Sequence, residues 1–273
     1  MSFDFIGEKM KTALSEKGEA LYSIGNTRIN DFIGKRITIK FNGDINCIHC
    51  QRSIKKTYSQ GYCFPCSQKL AECDLCVVKP HLCHYEKGTC RDEKWGEKFC
   101  MQEHVLYLSV TSELKVGLTR RENVPHRWID QGAEKAIELM SFSSRYLAGL
   151  HEHFLTQHYA DKTNWRKMLS APSPLDIDLL QEKEKALILL EPFMEEKSEI
   201  FGEDSIYDSS DDICSIEYPV QQYPKTLKSI DFLKDDVFSA LLLGVKGQYL
   251  LFEHHVLNMR KYTGFNFSFG GPV

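Results

Sequence analysis

Nine of the ten cysteines in this 273-residue chain lie between Cys47 and Cys100. The first four form two Cys-x2-Cys pairs, Cys47/Cys50 and Cys63/Cys66, with twelve residues between them. That spacing lets four thiolates converge on one Zn²⁺ at about 2.3 Å each. A segment built this way is organised by an ion in place of a large apolar core. Four thiolates fill a tetrahedral shell, so the expected site is structural and keeps no coordination position for chemistry.

The next five cysteines are less regular. Cys73 and Cys76 make a third pair, whereas Cys83, Cys90 and Cys100 are unevenly spaced, with His81, His84 and His104 nearby. A second ion is expected on Cys76, Cys83, Cys90 and Cys100, or on a set that includes Cys73, for about two zinc ions in all. An iron–sulfur cluster is the rival, because four thiolates suit either centre. Cys214 stands alone in an acidic stretch and is expected to be inert.

The chain opens with Asp4, Glu8, Lys9, Lys11, Glu16 and Lys17, which leaves no secretory apolar stretch. Its longest apolar runs, at 186–190 and 240–243, are far too short to span a bilayer. A soluble cytoplasmic protein with no membrane partner is expected, one whose clustered thiols serve metal rather than disulfides.

The net charge of −4 hides an asymmetry. Residues 191–212 hold nine acids against Lys197 alone, while residues 35–69 hold seven cations against Asp44 alone. A basic metal-binding module beside an acidic loop fits a nucleic-acid partner, DNA or RNA, although solvated faces carry such charge too. Arg52, Lys55 and Lys56 alternate with Tyr58 and Tyr62. That interleaving suits gripping phosphates and stacking on bases. Arg120 and Arg121 are further candidates.

The expected elements begin with an amphipathic helix over 5–20, from Phe5, Ile6, Met10 and Leu14. A strand covers 36–41. Strands at 105–110 and 114–118 flank a tight turn. A helix starts near Pro125 and runs to Gly132, a strand covers 136–142, and a helix covers 144–159. After the breaker Ala171-Pro172-Ser173-Pro174 come a helix over 175–190, the acidic loop, and β structure at 240–245, 248–252, 256–259 and 265–269. The fold class is therefore α+β. Its expected parts are an N-terminal helix and strands (1–45), a zinc-ribbon-like metal-binding region (46–103), a small α/β domain (104–170), and a helix, acidic loop and β-rich C-terminal region (171–273).

The segment from Val105 to Asn164 resembles the GIY-YIG endonuclease superfamily. Val105-Leu106-Tyr107 matches the first motif strand, and Lys115-Val116-Gly117 with Thr119 matches the second. Arg127 matches the arginine on the following helix, Glu152 the metal-binding glutamate and Asn164 the later asparagine. Val105 stands where the family has glycine, Lys115 where it has tyrosine, and Gln131 where some members have histidine. The resemblance implies phosphodiester hydrolysis with Mg²⁺ or Mn²⁺ at Glu152. Arg127 would pair with the phosphate oxygens, Tyr107 would orient or deprotonate the attacking water, and Gly117 would admit the phosphate to the backbone. Lys115 can act as a base only if burial or nearby positive charge lowers its pKa.

The whole chain is also similar to a bacterial family catalogued only as a domain of unknown function. That similarity rests on Gly88-Thr89-Cys90-Arg91, Leu114-Lys115-Val116-Gly117 with Thr119-Arg120, and the run Arg127 to Gly132. It extends to Asp161-Lys162-Thr163-Asn164-Trp165-Arg166 and Gly247-Gln248-Tyr249-Leu250. Two functions are carried forward: a zinc-containing, nucleic-acid-binding endonuclease, and a zinc-stabilised nucleic-acid-binding or adaptor protein with a degenerate, non-cleaving domain.

Overall fold

The computed structural model describes residues 2–173, 175–202 and 205–272. Pro174 of the breaker and the acids Glu203 and Asp204 lie outside the described residues. The chain begins with β1 (Ser2–Ile6), β2 (Lys11–Leu14), β3 (Ala20–Ile24), β4 (Thr27–Arg28) and β5 (Arg36–Ile45). The cysteine-rich segment adds α1 (Phe64–Lys69) and α2 (Glu93–Cys100). Then come β6 (His104–Val110), β7 (Leu114–Arg120), α3 (His126–Asp130), β8 (Lys135–Phe142), α4 (Arg145–Leu155), α5 (Trp165–Met168) and α6 (Leu179–Phe201). The rest is β9 (Ile206–Asp208), β10 (Ile213–Ser215), β11 (Lys228–Ser229), β12 (Val237–Leu241), β13 (Gly244–Lys246), β14 (Tyr249–Leu251), β15 (His255–Asn258) and β16 (Phe265–Gly270).

This is an α+β architecture of mixed sheets with few helices. The central sheet runs β10-β8-β6-β7, with β9 also on the outer edge of β8. A second sheet runs β1-β16-β5-β12, so strands from both ends of the chain alternate within it. The segments 1–45 and 171–273 thus share one sheet.

The helix expected over 5–20 is absent, replaced by strands β1 and β2. Phe3 and Phe5 stack on Phe269 and Phe267 of β16, at centroid separations of 5.0 and 5.4 Å. Alternate residues meeting one partner strand is a period of two, and that partner lies at the other end of the chain. The acidic stretch is likewise not all loop. α6 continues through Pro192 to Phe201, and β9 and β10 then pair with β8.

β6 is buried along its whole length and divides two cores. On one face Leu106, Leu108 and Val110 pack with α4 and α6. On the other, Tyr107 meets Trp128 of α3 and the sheets built from the chain ends. α4 also carries the cysteine-rich segment. A Cβ at Gly149 would lie 2.5 Å from the backbone at Pro80 and His81, so only glycine permits that approach. His153 completes the contact, its ring 4.0 Å from that of His81. Among the described residues, no helix is long and apolar enough to cross a membrane.

Candidate functional site

The first cysteine cluster is assembled by two tight turns. Cys47 N–H donates to the Arg52 carbonyl and Gln51 N–H to the Cys47 carbonyl, closing the first turn. Tyr58 and Tyr62 pair across the second, and Cys63 then starts α1, with Pro65 in its first turn. The sulfurs of Cys47, Cys50, Cys63 and Cys66 all lie within 4.8 Å of one another. Cys50 Sγ and Cys63 Sγ are 3.8 Å apart. That is the edge of a tetrahedron with metal–sulfur bonds of about 2.3 Å, roughly 3.8 Å, and nearly twice a disulfide length of about 2 Å. The donor set therefore fits a metal ion.

The four thiols divide their protons unequally. Burial opposes ionisation of Cys47, but backbone N–H groups of Cys50, Cys63 and His49 outweigh it and draw its pKa down to about 6. Burial and the neighbouring thiols push Cys66 up to about 12. Arg52 Nε donates to Cys50 Sγ at 3.2 Å, so this arginine serves the cluster. Lys55 and Lys56 are exposed beside it, with the Lys56 ammonium 5.0 Å over the Tyr58 ring.

Of the later cysteines, Cys76, Cys83 and Cys100 meet in one buried cluster. Cys83 takes S–H bonds from Cys100 and Cys76, which lower its pKa to about 2 and raise theirs. Cys90 is turned aside, its thiol donating to the Asp92 carbonyl at 3.2 Å. Cys73 faces a groove, near Glu72 and Arg91. Asp74, Cys76 and His84 bring one oxygen, one sulfur and one nitrogen within 4.8 Å of one another.

That groove, about 1040 Å³, separates the cysteine-rich segment from the central sheet. One wall is the second turn and α2, with Ser59, Gln60, Tyr62, Arg91, Trp95 and Phe99; the other is Arg120, His126, Arg127, Arg145 and Glu152, with Arg260 at the end. Arg127 and Glu152 thus open on one space.

Behind this wall lies a hydrogen-bonded layer. Lys115 Nζ donates to Gln131 Oε1, and Gln131 Nε2 donates to the Tyr107 hydroxyl. Tyr107 and Lys115 are 1% and 4% exposed, and neither lines the groove. Burial and the Arg127 charge push Lys115 down to about 8, against the opposing pull of Glu152 and Asp161. Burial raises Tyr107 and also raises Glu152, the latter against the Leu118 N–H and the charges of Lys115 and Arg127.

The structure thus gathers Tyr107, Lys115, Gly117, Arg127 and Glu152 at one place. Gly117 is filled over by the Tyr107 hydroxyl. Asn164 caps α5 instead, its Oδ1 accepting from the backbone N–H groups of Arg166 and Lys167. Arg121 is held by Glu103 and Glu138. Arg120 is paired with Glu122 and lies over Phe99. His151, Glu152 and His153 point three ways: His151 Nδ1 to the Leu147 carbonyl, Glu152 to the groove, His153 to His81. Asp161 and Arg260 also belong here. Asp161 opens the Asp161-to-Arg166 run in the sequence, and nothing local marks Arg260.

Residues 34–267 match the family described as "Protein of unknown function (DUF2797)". The chain belongs to this family. No curated protein and no solved structure matches it. The DUF2797 match spans both cysteine clusters, the groove and most of the C-terminal strands, so Arg260 and Arg127 fall within the same family unit.

Proposed function

We propose that this protein is a zinc-containing, nucleic-acid-binding protein whose groove hydrolyses phosphodiesters with Mg²⁺ or Mn²⁺. The carrying observation is that Arg127 and Glu152, on separate helices, line one groove beside the four-thiolate cluster. The GIY-YIG resemblance of the 105–164 segment supports the same reading, as does the order of strands, helix and glutamate.

Glu152 is half-buried and opens on the groove, and its carboxylate is a hard oxygen donor of the kind a divalent ion takes together with water and phosphate oxygens. When bound there, such an ion supplies Lewis acidity at the phosphoryl oxygen. Arg127 presents a planar fork to the non-bridging oxygens as their charge grows. Lys115, pushed down to about 8, is the group with a proton affinity near working pH, and we assign it the base role that the resemblance to GIY-YIG endonucleases would give to a tyrosine. Tyr107, pushed up by burial, is a positioning group acting through Gln131.

The first cluster holds one zinc, and its closed shell makes it structural. A second zinc is assigned to Cys76, either with Cys83 and Cys100, which meet it in the buried cluster, or with Asp74 and His84, whose donor atoms lie within 4.8 Å of its sulfur. Ten free thiols fit a reducing, cytoplasmic setting.

One observation favours the non-catalytic reading: Lys115 and Tyr107 sit behind the groove wall. A plasmid-nicking assay with Mg²⁺ or Mn²⁺ separates the two. Nicking by the wild type that vanishes in both Arg127→Ala and Glu152→Ala supports hydrolysis. Binding without nicking under either metal establishes the adaptor instead.

A further inference from the structure

Arg260 reaches the groove from the C-terminal part of the chain, on the turn Met259–Tyr262 after β15, and meets Arg127 there. Lys9, Arg91 and Arg120 also line the groove, but they are ion-paired with Asp130, Asp74 and Glu122. Arg127, Arg145 and Arg260 are in no ion pair among the described residues, but Arg145 is engaged by the Val77 carbonyl, to which its Nη2 donates at 2.6 Å. Gln60 of the second turn takes a hydrogen bond from Arg260 Nη2 at 2.8 Å, which fixes one side of the guanidinium. Burial and the Arg127 charge push Arg260 below its usual pKa range. Two like charges facing one space repel, and an anion between them relieves that cost. A phosphate can accept a fork from each.

The opposite wall is aromatic. Trp95 and Phe99 lie 4.9 Å apart, and the cations of Lys98 and Arg120 sit 5.1 and 4.9 Å from the Phe99 ring. Those cations already sit on Phe99, so Trp95 is the ring left to stack on a base face, which a duplex covers with neighbouring pairs and an unpaired strand leaves open.

We propose that the groove takes an unpaired nucleic-acid strand, with Arg127 and Arg260 gripping one backbone phosphate while Trp95 stacks on a base beside it. This deepens the nucleic-acid reading above and rests on it. It does not require cleavage.

The test is fluorescence anisotropy with a labelled strand of about 16 nucleotides and with its duplex. No divalent ion and no chelator are added, so structural metal stays bound. The single strand should bind at least about tenfold tighter than the duplex. Arg260→Met, which keeps the side-chain stem, should cost about tenfold and flatten the salt dependence by about one unit of slope, with Arg260→Lys recovering part of both. Trp95→Leu should cost about tenfold without changing that slope. If Arg260→Met melts early, the strand-to-duplex ratio and Trp95→Leu decide. Equal or tighter duplex binding overturns the proposal, as does a folded Arg260→Met of unchanged affinity. Strand binding without nicking would sink hydrolysis and leave this proposal standing. Duplex nicking that is indifferent to Arg260 would do the reverse.

Discussion

The Tyr107 hydroxyl lies against Gly117, its partner across the β6–β7 ladder: a Cβ on Gly117 would sit 2.7 Å from that oxygen. The GIY-YIG resemblance implied that Gly117 admits a phosphate to the backbone, whereas the space above it holds the tyrosine. Tyr107 cannot retreat, because its ring is buried edge-on against Trp128 and its hydroxyl is bonded to Gln131.

Gly117→Ala should therefore cost about 2 kcal/mol of stability, as overpacking a filled site does. Urea midpoints of the two proteins measure it. An unchanged midpoint would mean that Tyr107 moves freely.

Purified protein should carry about two zinc ions, and Cys63→Ser should lose one of them. Elemental analysis gives the count, and hydrogen exchange should show residues 47–66 opening in the variant. Iron in place of zinc, or a full zinc complement in Cys63→Ser, would contradict the assignment.

Lys115 has its folded pKa lowered to about 8, so between about pH 8 and 10.5 the unfolded chain binds the extra proton. Stability should rise with pH across that window as the cost of burying the charge disappears. Below it the cost is about 3 kcal/mol. Lys115→Met removes it but strands the Gln131 carbonyl, at about 1–2 kcal/mol. The variant should be more stable by about 1–2 kcal/mol at neutral pH, should lack the Lys115 contribution to the rise between about pH 8 and 10.5, and should be inactive in the nicking assay. A less stable variant, or a wild-type profile without that rise, would show that the buried amine is not penalised.

His151 is fully buried between Phe142 and Phe193, and its Nε2 has no partner among the described residues. Burial holds its pKa at about 4. As pH falls below about 6.5 the unfolded state binds the proton first, so stability drops until about pH 4. Metal–thiolate bonds also weaken in acid, so the readout is a comparison of variant with wild type. From about pH 7 to about pH 5, His151→Leu should lose about 2 kcal/mol less than the wild type. Equal losses would place the acid sensitivity elsewhere.

What the sequence determined by itself was local. Cys47, Cys50, Cys63 and Cys66 were legible because each pair closes within one turn, and only one further approach joins the two turns. The strands at 105–110, 114–118 and 136–142 were legible because short apolar runs bounded by turn residues are too short for helices and read as buried strands. The N-terminal helix failed because Phe5, Ile6, Met10 and Leu14 fit a helical spacing as well as two strands, and the choice was made by β16, more than two hundred residues away. Tertiary structure alone decided that Cys76, Cys83 and Cys100 meet while Cys90 turns aside. It also decided that Arg260 stands beside Arg127, and that Lys115 is buried deeply enough to lose proton affinity. Those are properties of what surrounds a side chain, and the surroundings come from distant segments that no spacing rule brings together.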